Sequence, residues 1–289
     1  MLLERLTMSV KEILKEWQEG GVLPPALLFY GAHQRDQLEE AKRFAREFIG
    51  PNHSFNLLVF SHDEGKQYPI EDIREMVGEI LRPPCQRGKK IVVIAGADQM
   101  APEAANVLLK SLEEPPEHTH IILIAPAPGS LLPTLASRTL HLHFPSLPIK
   151  SIQQELMHQG LDSESAYRYA HLSQGSSSRA KELVAATTFP LLIEGVYRWY
   201  YMATPLPFLK GESDPYATEL FLTAYHAARD HYLVAHGIDH PLFCPGWRKQ
   251  LQSLASPPDL NKQVQKIEAA REAYQLHFSL DKAFQLISG

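Results

Sequence analysis

Only two cysteines, Cys85 and Cys244, occur among the 289 residues. Two thiols so far apart in sequence exclude a disulfide framework and a four-thiolate zinc site, and they read as the reduced thiols of a cytosolic chain. Positive charge is not in excess either, since 28 Lys and Arg stand against 33 Asp and Glu for a formal net charge of -5. Such a balance lacks the global pull toward phosphate that a DNA-binding module uses, and no basic helix supplies it locally. Long apolar runs are missing as well. Glu4, Arg5, Lys11 and Glu12 interrupt the apolar residues of the amino terminus, unlike the core of a signal peptide, and no stretch reaches the length of a membrane span. The expectation is a soluble cytoplasmic protein. A chain of this length, 44% hydrophobic and 21% charged, has room for two or three domains with a substantial core.

The first half alternates strand and helix signals. Val10, Ile13, Leu14 and Trp17 recur at helical spacing until Gly20-Gly21; Leu27 to Tyr30 reads as a buried strand ending at Gly31; Leu38, Ala41, Phe44, Ala45 and Phe48 resume the helical period. Further strands are predicted at Leu57 to Phe60, Ile91 to Ile94 and Ile121 to Ile124. A fifth, with Leu140, Leu142 and Phe144 alternating with His141 and His143, has one exposed face. A helix with Ala104, Leu108 and Leu112 on one stripe opens near Pro102 and closes at Pro115-Pro116. This alternation predicts an α/β domain with a mainly parallel sheet covered on both faces. After Pro145 the pattern is helical, broken at Ser173 to Ser178, Pro205 to Pro215 and Pro241 to Pro245, and it ends in an amphipathic segment carrying Leu260, Val264, Ile267, Tyr274 and Phe278. The expected division is an α/β domain over 1–144, a small helical domain over 145–186 and a larger helical domain over 187–289.

The turn after the first strand falls where a phosphate-binding loop of the form G-x-x-x-x-G-K-[ST] would stand. There, backbone N–H groups cradle phosphate, lysine neutralises it and the hydroxyl holds magnesium. The sequence reads Gly31-Ala32-His33-Gln34-Arg35-Asp36-Gln37-Leu38. Asp36 replaces the second glycine, Gln37 the lysine and Leu38 the hydroxyl. Asp36, with Glu39 three residues on, is predicted to cap the helix and put a carboxylate where phosphate would sit. At the end of the third strand the only nearby acid is Asp98, read as a helix cap before Pro102 in preference to a metal ligand.

Three runs carry a family resemblance: Ala97-Asp98-Gln99-Met100, Ala104-Ala105-Asn106-Val107-Leu108-Leu109-Lys110-Ser111-Leu112-Glu113-Glu114-Pro115-Pro116, and Leu132-Pro133-Thr134-Leu135-Ala136-Ser137-Arg138. In order and spacing they resemble the clamp-loader subunits of bacterial DNA polymerase III, a branch of the AAA+ family. Gly175-Ser176-Ser177-Ser178-Arg179-Ala180 is similar to the turn and arginine opening the family's sensor-2 helix. Glu268 to Ala273, with Leu280-Asp281-Lys282-Ala283-Phe284, resembles the closing helices of its collar domain.

The resemblance implies an AAA+ α/β domain, a helical lid and a helical collar that mediates assembly. Ser137-Arg138 matches the family's Ser-Arg-Cys motif, with Thr139 in place of cysteine, and implies that Arg138 reaches in trans toward ATP held by a neighbouring subunit. The family's four-cysteine zinc module is absent, since Gly50-Pro51-Asn52-His53 runs straight toward the next strand, and its sensor-1 polar residue is replaced in Ile124-Ala125-Pro126. The implied function is a non-catalytic subunit with neither ATP nor zinc of its own. Its implied partners are gamma/tau ATPase and delta subunits and, through the complex, a sliding clamp and primer-template DNA. The competing expectation is a divergent AAA+ ATPase of replication or recombination, binding nucleotide weakly through His33, Arg35 and Arg179. His141 and His143 are read as exposed strand residues, Tyr197, Trp199, Tyr200 and Tyr201 as helix packing, and Gln275-Leu276-His277-Phe278 as core rather than a clamp-binding peptide.

Overall fold

The computed structural model describes residues 9–61, 67–85, 88–202, 215–254, 259–276 and 282–284. The chain divides into two compact units, Met1–Ser146 and Leu147–Gly289. In the first, α1 (Val10–Gly20) is opened by a reciprocal capping box. Ser9 Oγ accepts from the Glu12 N–H, and Glu12 Oε2 accepts from the Ser9 N–H at 2.6 Å. Gly21, at φ 65°, closes the helix in the left-handed conformation that glycine adopts without penalty.

Then come β1 (Ala26–Tyr30), α2 (Gln34–Ile49), β2 (Leu57–Phe60), α3 (Ile70–Leu81), β3 (Lys90–Ile94), α4 (Pro102–Glu113), β4 (Thr119–Ala125), the short α5 (Pro133–Ala136) and β5 (Leu140–His143). The five strands form one parallel sheet in the order β2-β3-β4-β1-β5. From β1 the chain crosses to the far edge at β2, whereas the later crossovers run back the other way. Right-handed connections therefore put α2 on one face and α3, α4 and α5 on the other.

The core follows that split. Leu27, Phe29, Ile91, Val93, Ile122 and Ile124 pack with α1 and α2, while Leu28, Val92, Ile94, Ile121 and Leu123 pack with α3, α4 and α5. Because both faces are covered, the inner strands are apolar on both sides, which is why they read as continuous runs. At the edge, β5 buries Leu142 alone, and Leu140, expected to face inward with it, is exposed like His141 and His143. The reversal of crossover direction at β1 places the turn after it at a switch point of the sheet, where open α/β folds hold their ligands.

The second unit is helical: α6 (Ile149–His158), α7 (Ser163–Leu172), α8 (Ser177–Ala185), α9 (Phe189–Met202), α10 (Ala217–Ala235), α11 (Arg248–Gln252) and α12 (Leu260–Gln275). One apolar cluster joins Ile152, Tyr169 and Leu183 to Phe189, Tyr197 and Phe243, so it spans the segments expected as lid and collar. The aromatic group on α9 serves packing. Tyr197 and Trp199 are buried, and the Tyr197 hydroxyl donates to Asp230 Oδ2 at 2.8 Å. The expected break at Pro205 to Pro215 lies, up to residue 214, outside the described residues. So do His277 and Phe278 of the clamp-peptide-like run and Leu280-Asp281 of the collar-like run. No helix among the described residues is long and apolar enough to cross a membrane.

Candidate functional site

The degenerate loop is closed by its own side chains, and by different ones than the sequence predicts. Helix α2 starts at Gln34 with His33 as its N-cap residue, and no side chain caps it. Asp36 therefore sits inside the first turn, its N–H bonded to the His33 carbonyl at 3.0 Å, and the cap position falls at His33, before the predicted Asp36. An acid in that position still complements the positive end of the helix dipole.

The residue that fills the space is Gln37. It is fully buried, its two amide atoms have no hydrogen-bond partner among the described residues, and Nε2 lies 3.0 Å from where a Cβ on Gly31 would be. Leu38 packs into the core beneath α2. Gly31 is required by a close approach, since a Cβ there would stand 2.1 Å from the Phe144 carbonyl oxygen. Of the residues the competing ATPase expectation relies on, His33 shares a 3.1 Å hydrogen bond with Ser146 Oγ and Arg35 is exposed.

Beyond β3, Asp98 lies in a short 3-10 turn, Ala97–Gln99, and helix α4 takes Ala101 as its N-cap residue with proline in its first turn. The predicted Asp98 cap is thus not made. Asp98 Oδ1 is buried with no hydrogen-bond partner among the described residues, and burial raises its carboxyl above the ordinary value. No group of three or more His, Cys, Asp or Glu among the described residues could hold a metal ion.

Arg138 is at the surface. It leaves the end of α5, where Ser137 N–H bonds to the Pro133 carbonyl and Arg138 N–H to that of Leu135. Its guanidinium meets Glu113, the last residue of α4: Nε donates to Oε1 at 2.6 Å and Nη2 pairs with the same oxygen. Nη1 donates to the Thr134 carbonyl at 2.9 Å and lies 3.5 Å from Ser137 Oγ. The Glu113 partnership was not read from the sequence, although both residues sit in the runs that carry the family resemblance.

In the helical unit Ser176 caps α8 by accepting from the Arg179 N–H at 3.0 Å. The Arg179 side chain is committed to Glu219 at 2.6 Å, Glu182 at 3.0 Å and the Pro215 carbonyl at 2.7 Å. Hydrogen bonding to Glu219 foremost raises its pKa.

Comparison with known proteins gives the same placement. Residues 51–148 match the family described as DNA polymerase III, delta subunit. The delta-prime subunit of DNA polymerase III from Pseudomonas aeruginosa is 36% identical over 121 residues, 41% of this chain and 37% of that protein. That of Bacillus subtilis is 37% identical over 134 residues, 46% of this chain and 40% of the relative. These stretches resemble delta-prime subunits of DNA polymerase III.

The matched stretches span about two fifths of the delta-prime relatives' length. Over the whole chain the fold is that of a DNA polymerase III gamma-subunit-related protein from Thermotoga maritima, with a TM-score of 0.55 at 17% identity, covering 95% of this chain and 96% of that one. An α/β unit with a parallel sheet followed by helices is therefore the architecture this chain shares with that protein, as the alternation of strand and helix signals predicts. Within residues 51–148, the stretch that matches the family, lie α3, α4, α5 and the Glu113–Arg138 pair. The degenerate loop and Arg179 lie outside it.

Proposed function

We propose that this chain is a non-hydrolysing clamp-loader subunit that assembles with gamma/tau ATPase and delta subunits and lends Arg138 to ATP bound by a neighbour. On this reading it needs no nucleotide or zinc of its own. It works in the cytoplasm, and it meets the sliding clamp and primer-template DNA through the complex. The observation that carries the proposal is a contrast: Gln37 fills the space beneath the phosphate loop, while Arg138 stands exposed. A loop without lysine, hydroxyl or free volume has nothing with which to neutralise a triphosphate. An arginine with no local nucleotide to serve can serve an adjacent one, where a guanidinium aimed at the transferring phosphoryl group is worth about 10³ to 10⁵ in rate. The names of the delta-prime relatives support the same assignment. The ATPase alternative is weaker because Arg179 and His33 are engaged within the chain.

Two measurements test the proposal. Equilibrium titration of the isolated chain with labelled ATP is expected to show no binding, and micromolar affinity would overturn it. In the reconstituted complex, Arg138→Ala is expected to leave assembly intact and to lower DNA-stimulated ATP hydrolysis partially, since other interfaces keep their own arginines. Clamp loading, which needs the sites together, should fall further. Arg138→Lys should rescue poorly, because it keeps the charge but loses the planar fork. Wild-type loading by the alanine variant would leave this subunit a passive scaffold.

A further inference from the structure

Arg138 and Glu113 are 25 residues apart in sequence, and their pairing divides the arginine's donors unequally. The Nε–H goes to Glu113 Oε1, with Nη2 in an ion pair to the same oxygen, and one N–H of Nη1 goes to the Thr134 carbonyl. A guanidinium carries five N–H groups. Nη1 and Nη2 therefore each keep at least one N–H. Among the described residues their one further hydrogen-bond partner is Ser137 Oγ, 3.5 Å from Nη1 and at the limit of a hydrogen bond. The guanidinium is thus anchored through Nε and Nη1 while Nη1 and Nη2 retain donors for phosphate oxygens.

The support is firm on the carboxylate side. Glu113 ends α4, whose Leu108, Ser111 and Leu112 are buried, and the next residue closes the helix by donating from Glu114 N–H to the Lys110 carbonyl at 3.0 Å. By contrast, the ion pairs of Arg43, Arg168, Arg198 and Arg271 join residues three or four apart on one helix and fix nothing beyond it.

We infer that Glu113 is the positioning residue of Arg138, aligning its remaining N–H groups toward an anionic phosphoryl group on an adjacent chain. The inference rests on the reading of Arg138 as acting in trans.

The test uses the complex reconstituted with gamma/tau and delta subunits, with kcat and KM for ATP measured in the presence of primer-template DNA. Glu113→Leu should lower kcat by about as much as Arg138→Ala, with KM and assembly unchanged. Glu113→Gln, which keeps an amide oxygen for the Nε–H, should retain part of the rate. On the Arg138→Ala background, either change at Glu113 should have no further effect. Should Arg138→Ala lower kcat while Glu113→Leu does not, or should the two losses multiply, the positioning role is overturned and the trans reading stands. Should Arg138→Ala itself leave kcat and loading unchanged, the trans reading fails and this inference fails with it.

Discussion

Gln37 is the residue on which the site turns, and its chemistry makes a testable statement about stability. A fully buried amide with neither atom hydrogen-bonded carries a desolvation cost that a partner normally offsets, on the order of 1–3 kcal/mol. Gln37→Met keeps the length and drops the polar atoms, so it is expected to be neutral or stabilising by about 1 kcal/mol in chemical denaturation. Gln37→Lys restores the charged residue of an intact loop, yet Leu38 still supplies no hydroxyl. It should lower stability by placing an unpaired ammonium in the core without creating ATP affinity. A loss of stability in the methionine variant would mean that the amide has a partner in solution. The neighbouring glycine makes the complementary case. A methyl group at Gly31 would have to displace the Phe144 carbonyl, 2.1 Å away, so Gly31→Ala should cost ~1–3 kcal/mol by overpacking. The missing lysine and hydroxyl were legible in the sequence, but the identity of the side chain that fills the space was not. Asp36 and Gln37 are adjacent polar residues, and only the start of α2 decides which of them points inward.

At the scale of elements, the strands were legible because a parallel sheet buried on both faces leaves uninterrupted apolar runs, and Pro102 and Pro115 bracketed α4 by backbone chemistry alone. Two things escaped. One was the pairing of Arg179 with Glu219, since 40 residues separate them and no local rule links a residue on α8 to one on α10. The other was Lys90, a charged residue at the head of a buried strand that is itself only 5% exposed. Its ammonium reaches across to the carboxyl end of α3, donating to the Glu79 carbonyl and, at 2.9 Å, to that of Arg82. It thereby satisfies carbonyls that the helix leaves open and places positive charge at the negative end of the dipole. Lys90→Met should cost about 1.5–3 kcal/mol, the range for hydrogen bonds from a charged donor. Amide hydrogen exchange in the last turn of α3 should accelerate more than in α4. Uniform exchange across both helices would show that the ammonium does not cap α3.

On the scale of the whole molecule, the two compact units have separate apolar clusters, and they differ in how they hold histidine. In the second unit His226 stacks on Phe243 with ring centroids 4.2 Å apart, and its Nδ1 has no hydrogen-bond partner among the described residues. Burial, aided by His171 and Arg229 nearby, pushes its pKa down to about 3. His171 and His231 are lowered in the same sense, burial again first. In the first unit His120 is lowered too, burial again first. A base whose folded pKa lies below its unfolded value binds fewer protons when folded, so stability falls as pH drops below about 6.5, the unfolded value. The loss continues until the folded pKa is reached. For His226 alone this amounts to about 2 kcal/mol between pH ~7.5 and pH ~5. Asp230, whose carboxyl burial raises, acts oppositely, because it protonates earlier in the folded state and offsets part of the loss near the acidic end. The full chain should therefore lose thermal stability on mild acidification, whereas a fragment ending at Ser146 should fold alone and keep more of its own. His226→Phe should flatten the dependence of the full chain without altering that of the fragment. Equal acid sensitivity of fragment and full chain would place the titrating groups elsewhere and remove His226 from the account.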